Sequence, residues 1–271
     1  MTDEEFRRIY QLLKSKYGID MSAKKEIVKG RLENFLRLSK YETYTEFINA
    51  MELDITGTLE GKMVDMLTTN HTYFFREPEH FDYLREVVLP ELKKRENVNR
   101  DLCIWSAACS SGEEPYTLAM IIGEFFGLER DRWDTKVLAT DISKEVLDKA
   151  ARGIYTENQV KELPEHFKRY YFRQVEGTDK YEVKDFLKQE VIFREFNLMN
   201  PLPFKRKMHV VFLRNVMIYF DVETKKKLIK KIYDGMEDGG YLFIGKTETI
   251  DREDCPFRMI RSSIYKKQQG R

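Results

Sequence analysis

From Leu102 onward the chain alternates short, continuously apolar runs with amphipathic stretches, and no other feature restricts its fold as tightly. The runs are "LCIWSAA", "KVLATD", "VIFREFN", "HVVFLRN" and "YLFIGK". Each has the length of a strand. "EPYTLAMIIGEFF", "SKEVLDKAARG" and residues 222–236 read as helices, with Pro115 admissible in a first turn, Ser143 as a cap and Gly153 as a stop. Strands apolar on both sides and separated by helices form a parallel, doubly wound α/β sheet covered on both faces. One stretch breaks the alternation. "YYFRQVEGTDKYEVKDFL" has β-rich runs around an "EGTD" turn and predicts a small antiparallel β-subdomain insert at about 168–190. "FRMIRSSIYKK" predicts a closing hairpin.

The first seventy residues are helical in pattern. Phe6, Ile9, Leu12 and Leu13 recur at helical spacing before Gly18, a natural stop. A second helix is expected after Ser22 as its cap, with Ile27, Leu32, Phe35 and Leu36 as its apolar stripe. Shorter helices are expected near 45–51 and 59–67. The expected organisation is therefore a helical N-terminal domain over 1–72, a linker over 73–100 and the sheet domain over 101–271.

Charge and cysteine content exclude several classes. The 47 basic residues balance 46 acidic ones, which argues against a general nucleic-acid binder. The three cysteines, Cys103, Cys109 and Cys255, form no CxxC pair, so neither a disulfide framework nor a metal site is expected. "MTDEEFRRIY" has no apolar core of a signal peptide, and no apolar run approaches membrane-spanning length. A soluble cytoplasmic chain with no membrane insertion is the expectation.

In an open α/β sheet, ligands bind beyond the carboxyl ends of the strands. The first strand runs into the turn of "IWSAACSSGEEPYTLAM" (104–120). A dinucleotide or P-loop turn would be glycine-rich and would place phosphate on the helix N-terminus. This turn has one glycine, Gly112, followed by Glu113 and Glu114. Carboxylates there repel phosphate and suit a cationic ligand without phosphate, as S-adenosylmethionine is. Both glutamates could equally serve only to favour the first helical turn; that reading is preferred for Glu113 and a ligand role for Glu114. Asp141, at the end of "LATDIS" (138–143), is either a ribose-binding acid or a turn aspartate ahead of Ser143. With the acidic turn upstream, the adenosine reading is favoured.

These stretches, in order with "TTNHTYFFRE" (68–77) and "LRNVMIYFD" (213–221), resemble the chemotaxis receptor methyltransferases, the CheR family, over nearly the whole chain. The resemblance implies a class I S-adenosylmethionine-dependent methyltransferase domain of Rossmann-like fold, with a helical N-terminal domain and an inserted β-subdomain. It implies methylation of glutamate side chains on the cytoplasmic helices of chemoreceptors, giving glutamyl methyl esters. It places the cofactor against Asn70, Thr72, Arg76, Glu114, Asp141, Asn197, Leu198, Arg214 and Asn215, and marks Arg76 and Tyr219 as nearest the reacting centre. Some positions depart from the family pattern: Leu213 stands where cysteine is frequent, Thr247 in "GKTE" where serine is frequent, and His71 at a variable position.

Alternatives stand beside these roles. Arg76 could form a surface salt bridge with Glu77 or Glu79. Tyr219 could be a core aromatic of "VMIYF", in which Ile218 and Phe220 read as structural. Trp105, Tyr116 and Phe74 read as packing residues. Ten basic residues between 7 and 40 face three acidic ones, Asp20, Glu26 and Glu33. Lys24, Lys25, Lys29, Arg31 and Arg37 among them are candidates for docking an acidic receptor helix, although such runs are more often a solvated face. The "RQVEGTDKYEV" turn is short for holding a receptor C-terminal peptide, so a tether-independent enzyme is expected; a monomer is the separate expectation for its assembly. Two rival readings are a non-catalytic cofactor-sensing adaptor and a nucleic-acid amine methyltransferase. The latter rests on "NPLPF" (200–204), which Leu202 interrupts and which precedes the strand it should follow.

Overall fold

The computed structural model describes residues 1–68, 70–251 and 255–268. In chain order its strands are β1 (Ile104–Ala107), β2 (Val137–Asp141), the short β3 (Ile154–Thr156), β4 (Phe172–Gln174) and β5 (Lys180–Val183), then β6 (Val191–Glu195), β7 (Met208–Leu213), β8 (Met236–Ile244), β9 (Arg258–Arg261) and β10 (Ile264–Lys266). Seven of them form one sheet in the order β6-β2-β1-β7-β8-β10-β9. The five pattern-derived strands pair in parallel, and the closing β9–β10 hairpin adds antiparallel to β8. Strand order reverses between β1 and β7, which opens a crevice at their carboxyl ends.

Alternation along each strand divides the core in two. Ile104, Val210, Phe212 and Phe243 face one cluster, while Trp105, Ala107, Val211, Leu213 and Leu242 face the other. The N-terminal helices α1 (Asp3–Tyr17), α2 (Lys25–Leu38), α3 (Tyr44–Leu53) and α4 (Thr58–Leu67) belong to the second cluster. Thr2 and Glu5 close a capping box on α1, and Gly18 ends it with φ 70.

Three expectations need correction. Ser22 does not cap α2: the helix starts at Lys25 with Lys24 at the cap position, and the Ser22 N–H donates to Asp20 Oδ1 at 3.0 Å. Ile27 is half-exposed because Val28 and Leu32 take the buried side, and neighbouring residues on a helix lie about 100° apart. Residues 73–100 are not a linker. They hold α5 (Pro78–Tyr83), a π-helical turn (Leu84–Val88) and α6 (Leu89–Arg95), and Phe81, Leu84, Val88, Leu89 and Leu92 are buried in the first cluster. Those positions recur every three or four residues, the spacing of a helix that packs.

The first cluster is completed by α7 (Glu113–Phe126) and the small sheet β3-β5-β4. That sheet draws β3 from residues upstream of the expected 168–190 insert. Next to it lie α8 (Lys144–Arg152) and the short α9 (Glu157–Val160), α10 (Glu165–Tyr171) and α11 (Asp185–Lys188). Ser143 caps α8 and Gly153 ends it, as the sequence predicts. The last helix, α12 (Val222–Asp234), packs Leu228, Ile229 and Ile232 into the second cluster. Among the described residues no helix is long and apolar enough to cross a membrane.

The entry to α7 depends on Gly112, which has φ 96; a Cβ there would lie 2.8 Å from Ala150 Cβ and 3.2 Å from the Ala150 backbone in α8. Gly112→Ala should therefore destabilise the chain by about 1–3 kcal/mol in urea unfolding. Gly61→Ala in α4, where a Cβ meets nothing within 4 Å, should stabilise it by about 0.5–1 kcal/mol.

Candidate active site

The turn after β1 is wound unusually. Ala108, Ser110 and Gly112 all have positive φ, at 61°, 49° and 96°. Two of them carry a Cβ, so the conformation is held from outside. The Cys109 N–H donates to the Thr140 carbonyl at 2.9 Å, the Ser110 N–H to Asp141 Oδ2 at 2.8 Å, and Ser110 Oγ to the Asn70 carbonyl at 3.1 Å. The other Asp141 oxygen accepts from the Ser143 N–H at 3.0 Å. Asp141 is thus a turn aspartate as well as a cavity residue. Burial pushes its carboxyl above the ordinary range, opposed by those amide bonds.

The two glutamates of the turn go separate ways. Glu113 is fully buried away from the crevice, accepting from Ser111 Oγ at 2.7 Å and Gln159 Nε2 at 3.0 Å; burial raises its pKa. Glu114 faces the crevice, accepting from Ser106 Oγ at 2.7 Å and from Arg214 at 2.9 Å. Arg214 also lies 3.2 Å from Glu77 and donates to the Arg76 carbonyl, while its Nε has no partner.

A cavity of about 480 Å³ opens at this point, within the range of small-ligand sites. Asn70, Thr72, Arg76, Glu114, Asp141, Asn197, Leu198, Arg214, Asn215 and Tyr219 all line it. The structure thus brings together every cofactor-site and reaction-centre residue named from sequence. Thr69 of the first motif lies outside the described residues. Glu77 pairs with Arg214 and Glu79 with Lys246, so neither serves as the surface partner considered for Arg76. The Arg76 guanidinium instead donates to the His71 carbonyl at 2.8 Å and lies over the Tyr73 ring. Asn197 is partly structural: its amide donates to the Lys16 carbonyl of α1 at 2.8 Å and accepts from the Met199 N–H at 2.9 Å. Ile218 is a correction. It is 47% exposed and lines the cavity, whereas Phe220 is buried as expected. Trp105, Tyr116 and Phe74 are buried packing residues.

The basic helix divides. Arg31 turns inward and donates to the carbonyls of Met66, Leu67 and Thr68 at 3.2, 2.8 and 3.1 Å, closing the C-terminus of α4. Lys25 pairs with Asp3, and Arg37 donates to Asn34 Oδ1 at 2.5 Å. Lys24 and Lys29 lie at the start of the same helix.

Sequence reasoning missed Glu77, Ser106 and Glu248. Glu77 stood in a quoted motif but was weighed only as a partner for Arg76, and Glu248 closes "GKTE".

A parallel sheet with a ligand-sized crevice at its switch point, with Glu114 and Asp141 on its wall, has the architecture expected of the S-adenosylmethionine-dependent methyltransferases. The description "CheR methyltransferase, SAM binding domain" matches residues 70–266, and "CheR methyltransferase, all-alpha domain" matches residues 4–68. The chain belongs to the CheR methyltransferase family. It is 40% identical to the chemotaxis protein methyltransferase of Borreliella burgdorferi, over 98% of this chain and 95% of that one. A probable chemotaxis protein methyltransferase of Rhizobium etli is 36% identical over 85% of this chain and 86% of its own. The chemotaxis protein methyltransferase of Escherichia coli is 34% identical, over 98% and 91%.

Behind Glu77 lies His80, fully buried, with Nε2 at 2.7 Å from Ser263 Oγ and Nδ1 at 3.4 Å from Glu77. Burial, helped by Arg214 and opposed by Glu77, pushes it from 6.5 down to about 4. The folded chain keeps His80 neutral where the unfolded chain takes up a proton, so stability is lost as pH falls from 6.5 towards 4. Of this loss, about 2 kcal/mol should be visible between pH 7 and pH 5 in urea unfolding, and His80→Gln should remove most of it.

Proposed function

We propose that the cavity binds S-adenosylmethionine and that the chain methylates glutamate carboxylates on the cytoplasmic helices of chemoreceptors, forming glutamyl methyl esters. The carrying observation is that Glu114 and Asp141 share one cavity: an acid where phosphate would otherwise sit, and a buried acceptor at the end of β2. Asp141 is suited to a ribose and Glu114 to a cationic group. Asn70, Thr72, Asn197, Leu198 and Asn215 would complete the walls. The relatives' names supply the chemotaxis setting. The helical residues 1–72 are read as the docking domain.

The bound cofactor supplies an electrophilic methyl group. The residues around it must align a carboxylate and exclude water, because a glutamate is already ionised at neutral pH. No general base is needed. Cys109, the thiol in the cavity wall, is buried, and its pKa is pushed well above the ordinary value, so it is inert as a nucleophile. Arg76 would hold the incoming carboxylate, and Tyr219 would place its hydroxyl beside the transferring group.

Incubation with methyl-labelled cofactor and receptor cytoplasmic fragments should give label that mild base releases as methanol. Base-stable label, or none, would overturn the glutamate reading. Because Arg31 is committed to α4, the docking test uses Lys24→Glu with Lys29→Glu. Receptor KM should rise at least about tenfold at low salt with S-adenosylhomocysteine affinity unchanged. Equal loss of both would count against a docking face on α2.

A further inference from the structure

The loop at residues 214–219 carries Arg214, Asn215, Ile218 and Tyr219 to the cavity, and its own residues do not dictate its shape. Asn215 has φ 59, a left-handed conformation, immediately before a tight turn at Met217–Tyr219. One side chain from outside the cavity wall meets this backbone. Glu248 Oε2 accepts from the Asn215 N–H at 2.8 Å and from the Gly245 N–H at 2.7 Å, and Oε1 accepts from the Met217 N–H at 2.7 Å. Glu248 is 7% exposed. Gly245 leaves the space for it: a Cβ there would stand 2.5 Å from Asn215 Nδ2 and 2.9 Å from Glu248 Oε2.

We infer that Glu248 is a positioning residue for methyl transfer, its carboxylate fixing the loop that presents Asn215 and Tyr219 to the cofactor and the incoming glutamate. The inference rests on the cofactor reading of the cavity given above. A buried carboxylate offers acceptors on both oxygens, which is what three converging N–H groups require. An amide does not. The Nε2 of a glutamine would face either the Met217 N–H or the pair from Asn215 and Gly245, donor against donor.

Glu248→Gln tests this in the full chain. S-adenosylhomocysteine Kd, read by calorimetry, should rise about tenfold. At saturating cofactor, kcat on receptor fragments should fall about a hundredfold, as it does when reacting groups are misplaced by about an ångström. Receptor KM should stay within about twofold, because docking lies elsewhere on the chain. Gly245→Ala presses on the same clamp from the other side and should give the same split, so it carries the test if Glu248→Gln does not fold. A folded variant with wild-type kcat and Kd but a lowered Tm would show Glu248 to be structural only and would overturn the assignment. Wild-type chain that fails to bind S-adenosylhomocysteine would overturn the cofactor reading, and this assignment with it.

Discussion

Arg214 is the residue on which the site's geometry depends. Its side chain is 2% exposed, and a guanidinium so far from water is tolerable only when paired. It lies 2.9 Å from Glu114 and 3.2 Å from Glu77, donates to the Arg76 carbonyl, and stands over the rings of Phe81 and Phe212. Those partners come from three places in the chain: the approach to α5, the first turn of α7 and the end of β7. No backbone hydrogen bond of the parallel sheet reaches all three. The pairing also sets the charge of the cavity lining. Glu114 and Asp141 face Arg76 and Arg214 across the cavity lining, so two carboxylates and two guanidiniums meet there.

Much of this was legible in the sequence, because apolar periodicity and turn chemistry are local signals. The five buried strands and the caps at Ser143 and Gly153 followed from composition within windows of ten residues. The strand–turn–acid pattern at 104–114 pointed to the end of β1, where the cavity opens. What the sequence concealed lies in contacts between distant residues. Arg31 reads as one of ten cations on a basic stretch, and only the docking of α4 beside α2 shows that it closes a helix terminus. Glu77 reads as the neighbour of Arg76, yet its partner is 137 positions away. Ile27 and Ile218 were misplaced for a related reason. An apolar residue one position off a stripe looks like its neighbour in sequence and faces a different way in space.

Asp141 and Glu113 show why competing readings of one residue need not exclude each other. The turn reading of Asp141 is correct, since the Ser143 N–H binds one oxygen. The ligand reading is still admissible, because the same turn holds Asp141 at the cavity wall. Structural bonds to a side chain are often what orient it for a ligand. Glu113, by contrast, has its two oxygens occupied by Ser111 and Gln159 and does not reach the cavity, so the bland reading is sufficient there.

The helical N-terminal residues do more than offer a charged surface. Tyr17, Ile19 and Thr68 line the cavity itself. The end of α1 is joined to the loop beyond β7 by an Ile19–Phe220 bridge, by the Asp20 N–H donating to the Tyr219 carbonyl at 2.8 Å, and by Lys14 beside Asp221 at 2.8 Å. Asn197 adds a bond to the Lys16 carbonyl from the loop after β6. Arg31 then links α2 to Thr68 at the cavity rim. A helix docked on α2 would therefore be in contact with a body that is continuous with the wall of the cavity. Tyr219 is the meeting point: its side chain lines the cavity while its backbone carbonyl is held by the N-terminal helices. Displacing α1 relative to the sheet would move that residue, so the position of the helical domain and the shape of the cavity are set by the same contacts.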